Sequence, residues 1–105
     1  MPKQIAFRMN VFPGRAAEYR KRHDEIFPEL SAALKDAGVS DYSIWLDPEA
    51  NHLFGILTLS DDNTLDALPD TAIMQRWWAH MADIMATDAD NVPVQIPLKR
   101  VFHLP

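Results

Sequence analysis

Tyr19 and His23 lie at positions i and i+4 of the segment Glu18-Tyr19-Arg20-Lys21-Arg22-His23. On a helix that spacing puts the phenol and the imidazole on one face. Histidine titrates near pH 6.5, about where neutral-pH chemistry needs an acid or base, so His23 suits proton transfer at a pocket wall. The same pair also describes a core histidine bonded to its neighbours, with Tyr19 packing through its ring. A second aromatic pair lies in Gln75-Arg76-Trp77-Trp78. Adjacent helical residues step about 100° around the axis, so the indoles cover neighbouring sectors. They could fill a core and a dimer interface. They could also form a carbohydrate platform, because pyranose C–H faces stack on flat rings and an indole N–H donates to a hydroxyl. Tyr42, on an alternating segment, could face the same space.

Other chemistries are poorly served. The chain has no cysteine, which removes disulfides, thiol catalysis, iron–sulfur clusters and thiolate zinc sites. Three glycines in all leave no phosphate-cradling loop. There is no H-E-x-x-H, and the nearest metal-like spacing, His80 with Asp83, reads as a surface coincidence. Neither a metal nor a cofactor is expected. The net charge is −5, and the one basic cluster, Arg20-Lys21-Arg22, runs straight into His23, Asp24 and Glu25. Mixed charge of that kind reads as a solvated helix face, not a nucleic-acid footprint. No apolar run approaches the roughly 20 residues of a membrane span, and the N-terminus lacks a signal-peptide core. The expected setting is cytoplasmic, with neither nucleic acid nor membrane as partner.

The elements that must position these residues can be read from periodicity. With 105 residues, 48% of them hydrophobic, the chain makes one small domain, residues 1–105. Ile5, Phe7, Met9 and Val11 alternate with Gln4, Ala6, Arg8 and Asn10, which predicts a strand over 3–11 closed by Pro13-Gly14. Tyr19, His23, Ile26, Phe27, Leu30, Ala33, Leu34 and Ala37 predict a helix over 15–37, kinked or briefly broken at Pro28 and ended by Gly38. Strands are predicted at 39–47 and 52–59, forming a hairpin across Asp47-Pro48-Glu49-Ala50-Asn51. Tyr42, Ile44 and Leu46 share one face of the first of these, and Asp41, Ser43 and Trp45 the other. A short helix reaching Leu68 stops at Pro69, a longer one spans about 71–85, and a last strand takes up about 98–103. The order β-α-β-β-α-β implies an α+β fold of the ferredoxin-like type, an antiparallel sheet with helices on one face. The other face carries enough apolar residues, Trp45 and Phe54 among them, to call for a partner. Two such sheets face to face would make a homodimer in the form of a dimeric α/β barrel.

The motifs taken together resemble the L-rhamnose mutarotase family. The residues that carry the likeness are Glu18 to His23, Pro28-Glu29-Leu30, Tyr42-Ser43-Ile44-Trp45-Leu46-Asp47, Gln75 to Trp78, Met81-Ala82-Asp83-Ile84-Met85 and Val101-Phe102-His103-Leu104-Pro105. Each is weak alone; in this order they span essentially the whole chain. The resemblance implies a cofactor-free isomerase, a dimeric α/β barrel, that interconverts the α and β anomers of L-rhamnose. It implies His23 as proton donor and Tyr19, Tyr42, Trp77 and Trp78 as sugar contacts. Two other readings fit the same residues: a cofactor-free monooxygenase on this fold, and a non-catalytic sugar-binding module.

Overall fold

The computed structural model describes residues 1–105. Four strands form one antiparallel sheet in the order β2-β3-β1-β4. They are β1 (Lys3–Asn10), β2 (Val39–Asp47), β3 (His52–Leu59) and β4 (Ile96–Pro97). Three helices accompany them: α1 (Ala16–Asp24), α2 (Pro28–Asp36) and α3 (Ala72–Met81). The alternation read from the sequence is the alternation of burial. Phe7 and Met9 are buried on β1 and Val11 just after it, as are Leu53, Gly55, Leu57 and Leu59 on β3. These residues face the helices and form the core with Tyr19, Leu30, Trp77, Met81, Ile84 and Met85. Phe7 and Gly55 are opposite one another in the β1–β3 register. A Cβ on Gly55 would fall 2.5 Å from the Phe7 ring, so glycine lets that ring lie flat on the sheet.

Several boundaries differ from the periodic reading, each for a local reason. The helix expected over 15–37, with a kink or brief break at Pro28, is interrupted over 25–27 and forms two helices. Pro28 sits in the first turn of α2, where its missing N–H costs nothing, and Phe27 before it is extended at φ −56°, ψ 124°. Gly38 does follow α2 in the left-handed region, at φ 93°. On β2 the alternation is interrupted by a register shift between Ser40 and Ser43, with Asp41 at φ 50°. The short helix before Pro69 is a 3-10 turn, Leu65–Asp70, that includes the proline. α3 stops at Met81 instead of continuing to 85. The chain beyond it pairs with the end of β1: Phe12 N–H donates to the Ile84 carbonyl at 2.9 Å and Ala86 N–H to the Asn10 carbonyl at 3.0 Å.

The strand expected at 98–103 is not formed. β4 is two residues long and lies earlier, opposite Phe7 and Arg8. Leu98 N–H still donates to the Ala6 carbonyl at 3.0 Å, and Arg100 reaches Gln4 Oε1 at 2.8 Å. Past that point the antiparallel register runs off the start of β1, and no neighbouring strand remains to pair with. Val101 is 95% exposed and Phe102 77%.

Candidate functional site

The helix-covered side of the sheet encloses a cavity of about 1130 Å³. This is slightly larger than the roughly 300–1,000 Å³ usual for small-molecule sites. Tyr19, His23, Tyr42, Trp77 and Trp78 all line it. The five residues singled out from the sequence thus converge from α1, β2 and α3 on one space. Ile5, Phe7 and Leu57 supply apolar floor from the sheet, while Gln95 and Val92 close one side from the loop before β4.

His23 is fixed by α1 and by rings on either side. Its plane stacks on Tyr19 at 4.3 Å between centroids, 26° from parallel. Trp77 meets it edge-on at 5.2 Å and 89°. Phe27 in turn packs edge-on against Trp77 at 5.1 Å. His23 Nδ1 is 3.1 Å from the Tyr19 carbonyl oxygen. A carbonyl oxygen only accepts, so Nδ1 carries the hydrogen and the neutral ring keeps its lone pair on Nε2. Burial lowers the His23 pKa below 6.5, opposed by the bond to Tyr19 and by the Asp24 carboxylate. The imidazole is therefore neutral near pH 7.

The phenols respond in the opposite sense. Burial pushes Tyr19 well above the usual tyrosine range, and the neighbouring Tyr42 adds to the shift. Tyr42 is partly exposed as a residue, yet its ring packs edge-on to Phe7 at 6.3 Å, and burial of the phenol raises its pKa to about 12. Both are hydrogen-bond donors at neutral pH, not bases. The His23 Nε2, the Tyr19 hydroxyl and the indole nitrogens of Trp77 and Trp78 have no partner within the chain. None of the four is sealed off; the one buried unpartnered side-chain atom is Arg8 Nε, on the other face of the sheet. The cavity thus presents unsatisfied polar tips on aromatic walls.

One reading of surface residues changes, that of Arg22. Asp83 does not join His80 in a ligand pair: its carboxylate is held by Arg22 at 2.7 Å, while the His80 ring packs on Phe27 and Trp77. No three His, Asp or Glu side chains are grouped as metal ligands would be. Arg22, read as part of a solvated face, has a side chain only 16% exposed. The sequence carried one signal for it, the i, i+4 spacing from Glu18. No helix of the protein is long and apolar enough to cross a membrane.

Fold and site together define an α+β domain whose aromatic cavity holds one titratable imidazole, a design suited to a small polyhydroxylated ligand. Comparison with known proteins agrees. The family model for L-rhamnose mutarotase matches residues 4–104. An L-rhamnose mutarotase of Rhizobium meliloti is 62% identical over 102 residues, 97% of this chain and 98% of that protein. One from Brucella anthropi is 58% identical over 103 residues, covering 98% and 97%. The crystal structure of the L-rhamnose mutarotase from Formosa agariphila superimposes with a TM-score of 0.91 at 44% identity, covering 98% of this chain and 99% of that one. The chain belongs to the L-rhamnose mutarotase family. Membership favours an isomerase over the monooxygenase and the passive sugar-binding module that the same residues admitted.

Proposed function

We propose that this domain, residues 1–105, interconverts the α and β anomers of L-rhamnose, with His23 transferring the protons and Tyr19, Tyr42, Trp77 and Trp78 binding the sugar. The observation that carries the assignment is the neutral, Nδ1-anchored His23 whose Nε2 is free at the wall of the shared cavity. Ring opening breaks the bond between the anomeric carbon and the ring oxygen. The anomeric hydroxyl loses a proton, its oxygen becomes the aldehyde oxygen, and the ring oxygen gains a proton. Both oxygens are bonded to the same carbon, so one imidazole nitrogen within reach of one is close to the other. In this reading Nε2 takes the first proton as base and the resulting imidazolium delivers it to the ring oxygen as acid. The open chain rotates about its first carbon–carbon bond, and closure reverses the steps on the other face. Positioned acid–base catalysis contributes roughly 10²–10⁴-fold, which matters for a reaction that proceeds unaided in water. Tyr19 and Tyr42, kept protonated by burial, would donate to sugar oxygens, and the indoles would stack on C–H faces. No step in this route calls for a metal or an organic cofactor.

The same proposal includes the assembly. The strand order is that of a ferredoxin-like sheet, and we read two such sheets as packing face to face in a homodimer. Support comes from the sheet face turned away from the helices. Trp45 there, on the edge strand β2, is 67% exposed, Arg8 Nε on the inner strand β1 is buried without a partner, and beyond the opposite edge strand, β4, Val101 and Phe102 are exposed. A second copy would cover all three. A cytoplasmic location belongs to this reading too and rests on the cysteine-free sequence. Polarimetry of freshly dissolved α-L-rhamnose tests the activity: the protein should speed the approach to anomeric equilibrium in proportion to its concentration. An unchanged rate would reject the proposal.

A further inference from the structure

Arg22 stands beside His23 on α1 but points about 100° away from the cavity-facing pair. Its fork is nearly filled. Nε donates to Glu18 Oε2 at 2.9 Å. Nη1 donates to the His80 carbonyl at 2.6 Å and to Asp83 Oδ1 at 2.7 Å. Nη2 donates to Asp83 Oδ2 at 3.3 Å. The His80 carbonyl lies in the last turn of α3, where backbone acceptors lack intrahelical donors. Arg22 therefore caps α3 from a different helix, and its planar fork grips the following carboxylate at two points. The bond to the His80 carbonyl is the only side-chain hydrogen bond that joins α1 to α3, and the bonds to Asp83 tie α1 to the segment just after it. The two helices carry the rings that meet at the catalytic wall, His23 and Trp77.

We infer that Arg22 is a positioning residue for anomeric exchange: by clamping α1 to the end of α3, it sets the placement of His23 against Trp77. The inference rests on the proposed role of His23. Misplacing a reacting group by about 1 Å can cost roughly 10²-fold in rate, so a loosened clamp should be visible in turnover. It should also admit water to the imidazole. The titratable groups around His23 are Asp24 beside it, Tyr19 stacked on it, Tyr42 across the cavity and His80 behind Trp77. Arg22 itself adjoins His23, so its loss and the freeing of Glu18 and Asp83 raise the His23 midpoint by charge alone, whereas Asp83→Asn removes a negative charge and by charge alone lowers it; an upward shift shared by both variants reports hydration and placement.

The test measures L-rhamnose exchange by NMR, with kcat and KM separated, and follows the His23 ring proton resonance across pH. Arg22→Met should lower kcat about tenfold and move the His23 midpoint up toward its ordinary value. Arg22→Lys, which keeps the charge but not the fork, should recover part of both. Arg20→Met removes the same charge from an exposed position on α1 and should change neither. If Arg22→Met does not fold, Asp83→Asn carries the same test, since that side chain is solvent-facing and the change keeps its size. A folded Arg22→Met or Asp83→Asn protein with wild-type kcat and wild-type His23 titration would overturn the clamp. His23→Gln run alongside separates the two levels. Lost turnover there with none lost on unclamping rejects the clamp alone; retained turnover in His23→Gln rejects the reading beneath it.

Discussion

His23 is held neutral by its surroundings, and the pH dependence of the reaction follows. Its folded pKa lies below 6.5 because burial disfavours the imidazolium. With the neutral ring as the resting base, kcat/KM should be level around neutral pH and fall as pH drops through that lowered value. Stability should follow the same group. The unfolded chain titrates near 6.5 and binds more protons than the folded one just below it. The contribution is therefore complete above about pH 6.5 and is lost as pH falls through the folded pKa. Melting scans of wild type and His23→Gln should diverge only in that window; parallel curves throughout would contradict the assignment. The placement of this residue was legible in the sequence because helical period alone puts Tyr19 and His23 together. The role of Arg22 was not, since its partners lie 58 and 61 residues away and no local pattern announces them.

At the level of elements, α3 both completes the core and walls the cavity. Trp77 is buried and touches His23, Phe27 and His80, whereas Trp78 is half-buried at the edge of the core. Truncating a buried indole costs about 3–5 kcal/mol, against about 5–15 kcal/mol for a whole domain. Trp77→Ala should therefore melt much earlier than wild type. Trp78→Ala should stay folded and lose sugar affinity, measurable by titration calorimetry. Normal affinity in a folded Trp78→Ala protein would remove that indole from the binding wall. The bounds of the β2–β3 hairpin were readable to the residue, because alternation ends in clear turn chemistry, whereas the irregularity between Ser40 and Ser43 was not. The ends of α3 and β4 were not. They are decided by competing pairing: Ile84 and Ala86 bond to the end of β1, and the register of β4 leaves the C-terminal arm nothing to pair with. A periodic pattern records which face is apolar, not which backbone partner is close enough to claim it.

The whole molecule leaves apolar surface on one side of its sheet, and a single copy does not cover it. Sedimentation at micromolar concentration should give about twice the chain mass of 12.0 kDa. Trp45→Glu, which puts a charge within the proposed contact, should shift it toward one mass. A wild-type monomer at that concentration would contradict the face-to-face packing. Extensive chelation should leave exchange unchanged; loss on chelation with recovery on adding zinc would contradict proton transfer by His23 alone. The central claim is tested most directly by NMR exchange spectroscopy on L-rhamnose, comparing wild type with His23→Gln per folded molecule. Glutamine keeps hydrogen bonding but does not shuttle a proton near neutral pH. The account predicts anomeric exchange slowed by roughly 10²-fold or more, with sugar binding retained. Wild-type exchange in a well-folded His23→Gln protein would contradict it.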